Sequence, residues 1–127
     1  VDFAGLDMIV LPGGMPGTLN LEAHAGLMAR VEEFDKAGKY IAAICAAPSI
    51  LGALGLLKGR EAICFPGFEK ELEGARILDR PAVRDGNIVT AWGAGGAMDF
   101  ALLYLETLYD NEDIAKKIAR SMRYSVY

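Results

Sequence analysis

The chain has 127 residues, 53% of them hydrophobic, and 13 basic against 17 acidic side chains give a net charge of −4. That length is one domain's worth; the apolar content excludes a disordered chain, and no basic patch offers itself to nucleic acid. No run reaches the roughly 18 apolar residues of a membrane span, and two cysteines are too few for a disulfide scaffold and fit a reducing, cytoplasmic compartment.

In chain order, Leu6 to Leu11 is a short apolar run stopped by Pro12-Gly13-Gly14, which reads as a buried parallel strand. Met15 to Asn20 reads as loop, with Pro16-Gly17 as its turn signal. Leu27, Met28, Val31 and Phe34 follow helical spacing, and Gly38 stands where a C′ glycine closes that helix. Tyr40 to Ile44 is a second apolar strand. It runs directly into Cys45-Ala46-Ala47-Pro48, and Pro48 suits the first turn of a helix over Pro48 to Leu57. Glu61 to Cys64 is a third short strand, with weaker strands at Arg76 to Leu78 and Ala82 to Arg84. Asp85-Gly86 marks a turn before a strand over Asn87 to Ala91. After the glycine-rich stretch Trp92 to Gly96 a helix spans Met98 to Tyr109, with Ala101, Leu105 and Leu108 on one stripe. Asp110-Asn111 starts a last helix, in which Ile114, Ile118 and Met122 share a face.

Strands alternating with helices point to an α/β domain over residues 1–127, with a mostly parallel sheet and helices on both faces. The 15 glycines, well above the usual share of about 7%, suit tight strand-to-helix turns. A chain that opens on a buried strand lacks a βα unit ahead of it, and Val1 is not an initiator residue, so the domain reads as N-terminally incomplete.

Cys45 lies between an apolar strand and a helix. This is the setting of a nucleophile elbow, where a sharp turn lifts the side chain off the sheet edge and a helix N-terminus favours the thiolate. The alternative is a small buried hydrophobe. Cys64, followed by Phe65-Pro66, reads as packing. The N–H groups of Gly14 and Ala46 could form an oxyanion hole beside Cys45. Gly93 to Gly96 matches neither phosphate-loop nor dinucleotide spacing and reads as tight helix packing. His24, the one histidine, reads as a solvated surface residue. One His and two separated Cys make no metal site, and no cofactor motif is present. The acidic stretches Glu69 to Glu73 and Asp110 to Asp113 read as solvated faces or caps.

Three segments occur together in one order: Val10-Leu11-Pro12-Gly13-Gly14, Ala42-Ala43-Ile44-Cys45-Ala46-Ala47-Pro48, and Asp85 to Thr90 leading to Gly93-Ala94-Gly95. With Phe100-Ala101-Leu102 and Glu106 after them, the chain resembles the ThiJ/PfpI family, in the branch of the Parkinson-associated deglycase and its bacterial relatives. The resemblance implies a flavodoxin-like fold, a homodimer, and an oxidation-sensitive nucleophile at Cys45 with Gly14 and Ala46 N–H groups facing its sulfur. It also implies cofactor-free glyoxalase or deglycase activity on small dicarbonyls such as methylglyoxal, or alternatively a non-catalytic role as oxidative-stress sensor or chaperone.

The family's partner acid, a Glu of the first strand–helix unit, has no counterpart here, so a companion segment or chain is expected to supply it. Some members carry His at the position of Phe65, and protease-like members carry it at that of Ala46. Glutamine amidotransferases, which share the elbow, need a His downstream. None follows Cys45, which argues against a Cys-His hydrolase.

Overall fold

The computed structural model describes residues 1–125. In chain order its elements are β1 (Met8–Leu11), α1 (Gly17–Glu22), α2 (Ala25–Lys36), β2 (Tyr40–Ile44), α3 (Pro48–Ala53), β3 (Glu61–Ala62), β4 (Arg76–Ile77), β5 (Ala82–Asp85), β6 (Ile88–Ala91), α4 (Ala97–Tyr109) and α5 (Glu112–Ser121). The main sheet has the order β1-β2-β6-β5. Both neighbours of β2 are parallel to it, with Val10 opposite Ala42 and Ala42 opposite Val89. β5 is antiparallel to β6 across the Asp85-Gly86 turn, and β3 and β4 form a separate parallel pair.

Side chains alternate across this sheet with period two. Ile9, Leu11, Ile41, Ala43 and Ile88 point to one face, where Val31 and Phe34 of α2 and Ile50 and Leu51 of α3 meet them. Ala42, Val89 and Ala91 point to the other, against Phe100 of α4. α5 then docks on α4 through Leu102, Ala115 and Ala119. Each large aliphatic side chain buried in this way stabilises the fold by about 1.5–3 kcal/mol. The expected sheet, mostly parallel and covered on both faces, is what these residues build.

At the N-terminal end of the parallel strands a polar clamp holds the register. Arg60 donates to Asp35 (3.2 Å) and to Asn87 (2.9 Å), and Asn87 donates to Asp35 (3.1 Å) and to the Lys39 carbonyl (2.9 Å). Cys45 lies at the opposite, C-terminal ends of these strands.

Four local expectations are corrected. The stretch Met15 to Asn20 is only partly loop, because α1 starts at Gly17. The Thr18 hydroxyl holds that start by donating to the Gly14 carbonyl at 2.7 Å. The helix expected over Pro48 to Leu57 ends at Ala53, because Gly55 takes a left-handed φ of +73° that a helix cannot continue through. In α4 the buried positions are Phe100, Leu102 and Thr107, while Leu108 of the expected stripe is exposed. Finally, a missing first strand–helix unit leads to the expectation of open strand edges near both Val10 and Ile44; β2 is flanked on both sides, so Ile44 has none, and the open edge lies at the terminal strand β1, with Val10 45% exposed.

Candidate active site

β2 ends at Ile44 and the next residue reverses the backbone. Cys45 has φ +65°, a left-handed conformation that costs a residue with a Cβ about 1–2 kcal/mol. The conformation is held from both sides. Its N–H donates to the Ala91 carbonyl at 3.0 Å, and its carbonyl accepts the Phe65 N–H at 2.8 Å. Beyond the turn, Ser49 donates to the Ala46 carbonyl from both its N–H (3.1 Å) and its hydroxyl (2.6 Å), and Pro48 opens α3. The strand–elbow–helix geometry expected for Cys45 is present.

The loop after β1 passes directly against this elbow. Gly13 has φ +82°, and a Cβ there would overlap the Ile44 carbonyl and lie 3.0 Å from the Cys45 Cβ. Only glycine meets both demands. Gly14 follows, its carbonyl accepting from the N–H (2.8 Å) and hydroxyl (2.7 Å) of Thr18. Among the described residues neither the Gly14 N–H nor the Ala46 N–H has a hydrogen-bond partner. The three residues singled out in the sequence thus converge on one corner of the sheet.

Cys45 opens into a hollow of ≈ 490 Å³ between the ends of β1 and β2 and the first turns of α4. Val10, Ile44, Ala97, Phe100 and Ala101 make its wall apolar, and Tyr104 closes one side. The Phe100 ring meets Tyr104 edge-on at 5.4 Å and orients it. Among the described residues no carboxylate lines the hollow, and Cys45 and Tyr104 are its ionisable side chains. Sequence reasoning missed the α4 contribution, although Ala97, Phe100, Ala101 and Tyr104 lie at the spacing of one helix face.

The other candidates do not line this hollow. Cys64 is 1% exposed, and burial, reinforced by the charges of Glu69 and Cys45, pushes its thiol up to about 11. It packs in the core beneath α2 and α3. His24 caps α2, its Nδ1 accepting the Leu27 N–H at 3.0 Å. The glycine stretch serves close packing: a Cβ at Gly96 would lie 2.8 Å from the Pro81 carbonyl and 2.9 Å from the Trp92 ring. Asp110 and Asn111 cap α4 and α5, and Glu69 accepts the Gly67 N–H at 2.8 Å. No cluster of three metal-binding side chains occurs among the described residues, and no helix there is long and apolar enough to cross a membrane.

Known proteins share this fold and stretches of this sequence. Residues 1–107 match the model of the DJ-1/PfpI family. Protein DJ-1alpha of Drosophila melanogaster is 39% identical over 120 residues, covering 91% of this chain and 54% of that protein. The glutathione-independent glyoxalase DJR-1.2 of Caenorhabditis elegans is 35% identical over 103 residues, covering 80% and 55%. The chain therefore spans about half the length of these curated relatives. Among solved structures, a mutant of the DJ-1 superfamily protein STM1931 from Salmonella typhimurium superposes with a TM-score of 0.90 at 37% identity, covering 98% of this chain and 68% of that one. The flavodoxin-like sheet, the segment order and the matched span agree, and the chain belongs to the DJ-1/PfpI family.

Proposed function

We propose that the protein acts as a cofactor-independent glyoxalase- or deglycase-type cysteine enzyme on small dicarbonyls such as methylglyoxal. The observation that carries this reading is the Cys45 thiol. It is half-buried and held at φ +65° at the mouth of an apolar hollow that Gly14 also lines, and among the described residues the N–H groups of Gly14 and of the adjoining Ala46 have no partner. The relative from Caenorhabditis elegans is named a glutathione-independent glyoxalase, which supports the same chemistry.

In this mechanism the Cys45 thiolate adds to the aldehyde carbon, forming a C–S bond and moving the carbonyl π pair onto oxygen. The N–H groups of Gly14 and Ala46 receive that oxyanion. A proton then moves from the former aldehyde carbon to its neighbour, which turns the hemithioacetal into the thioester of a 2-hydroxy acid. Water cleaves the thioester, releases lactate and restores the thiol, so the net change is addition of one water to methylglyoxal. The hollow holds no carboxylate to carry the proton. We assign that step to a carboxylate on a companion segment seated on the outer edge of β1, in a cytoplasmic homodimer. The test is lactate formation from methylglyoxal by wild type and Cys45→Ser. Loss of turnover in the variant is expected, and unchanged turnover refutes the mechanism.

A further inference from the structure

We propose that Cys45 and Cys64 form a reversible intramolecular disulfide, with Cys45 as the thiol that meets a hydroperoxide and Cys64 as the thiol that resolves the product. The proposal goes beyond the dicarbonyl reading and stands without it. Both cysteines are free in the reduced fold. The Phe65 N–H to Cys45 carbonyl hydrogen bond, 2.8 Å long, joins the peptide unit that follows Cys64 to the one that follows Cys45. That bond brings the two cysteine-bearing segments into direct backbone contact, as a disulfide between them, with its Cα separation of about 4.4–6.8 Å, requires. The two sulfurs also sense each other electrically, since charge on Cys45 raises the pKa of Cys64.

Their exposures divide the labour. Cys45 opens into the hollow and can be reached by a small hydroperoxide. Cys64, 1% exposed, cannot, so an oxidant reaches it only by way of Cys45. The Cys45 thiolate attacks one oxygen of the hydroperoxide, the O–O bond breaks, and sulfenic acid and an alcohol (or water) result. The Cys64 sulfur then attacks the sulfenyl sulfur. The S–S bond forms, the S–O bond breaks, and hydroxide leaves with the Cys64 proton as water. Two thiols have lost two electrons to one hydroperoxide, and an external thiol such as dithiothreitol returns them by exchange. Without Cys64 the sulfenic acid is free to take a second oxidant and become sulfinate, which thiols do not reverse.

The experiment treats the full chain with one equivalent of hydrogen peroxide for cross-linking and with excess peroxide for over-oxidation, and maps non-reduced peptides by mass spectrometry. The same is done for Cys64→Ala and Cys64→Ser, with circular dichroism confirming that each variant is folded. Wild type is expected to give a Cys45–Cys64 cross-linked peptide that dithiothreitol removes. The variants are expected to accumulate Cys45 sulfinate at least about tenfold faster. Because the thiolate is the attacking species and burial raises the Cys64 pKa, resolution of the sulfenic acid should speed up as pH rises. Wild type and variants reaching sulfinate at one rate with no cross-linked peptide overturns the proposal, as does a disulfide between two Cys45 residues of different chains. Lactate formation is read separately on the protein carrying its companion segment, where cross-linking without turnover of methylglyoxal refutes the dicarbonyl mechanism and leaves this one standing.

Discussion

If the elbow holds Cys45 against its backbone preference, glycine at position 45 should be more stable than alanine there. At ordinary positions the order is the reverse, because glycine gains more freedom in the unfolded chain, worth about 0.4–1 kcal/mol. At φ +65° the left-handed penalty of about 1–2 kcal/mol falls on alanine and vanishes for glycine. Both variants lose the sulfur, so its packing cancels in the comparison. The net advantage of Cys45→Gly over Cys45→Ala is then about 0.5–1 kcal/mol. At about 2.1 cal/mol/K of unfolding entropy per residue, a chain of 127 residues turns that into about 2–4 °C of melting temperature. Differential scanning calorimetry on the two variants, prepared identically, measures it. A glycine variant that melts at or below the alanine variant shows that the elbow is unstrained and refutes the reasoning.

Gly13→Ala should destabilise the fold by about 3 kcal/mol or more, since it combines a φ of +82° with a Cβ overlapping the Ile44 carbonyl; a urea melt reads the loss, and Gly14→Ala, whose Cβ meets nothing within 4 Å, should cost only the backbone strain of about 1–2 kcal/mol. Thr90→Val removes the acceptor of the buried Ile63 N–H, bonded at 3.0 Å, and should cost about 1–3 kcal/mol in the same assay. The fold favours the neutral Cys64 thiol, whose pKa rises from 9.0 to about 11, so the unfolded chain loses this proton first. The corresponding stability is present below pH 9 and declines between pH 9 and 11, by about 2 kcal/mol, and Cys64→Ala should abolish that part of the pH dependence. An open, largely apolar edge strand invites pairing; purified protein is expected to associate through β1 or to carry a companion polypeptide, and a monodisperse 13.6 kDa monomer that melts cooperatively refutes this.

What could be read from the sequence was whatever depends on neighbours in the chain. Tyr40 to Ile44 is a strand at the expected residues because a five-residue apolar run has hard stops on both sides. The helix expected over Pro48 to Leu57 overshoots α3 because a segment apolar all round shows no periodic end, and Gly55 is the stop. α1 was missed because six residues after a Pro-Gly pair carry no helical period; a hydroxyl-to-carbonyl bond from Thr18 to Gly14 holds its start, and no pattern announces that. The site divides along the same line. Cys45 was legible because an elbow is a local motif, a strand ending where a proline opens a helix. What holds the elbow was not, because its supports come from Gly13, Phe65 and Ala91, three segments that approach only in the folded sheet. In the sequence Phe65 marks the break after a short strand and a position where relatives carry histidine, yet its backbone N–H makes one of the two bonds that hold the cysteine in place. The strain at Cys45 is therefore maintained by the tertiary fold, and the thiol keeps its geometry only while all three strand ends stay in register. A substitution that loosens β6 or the β3 loop should then disturb Cys45 chemistry without touching the hollow, and the Thr90→Val variant tests that coupling directly: its thiol alkylation rate should change along with its stability.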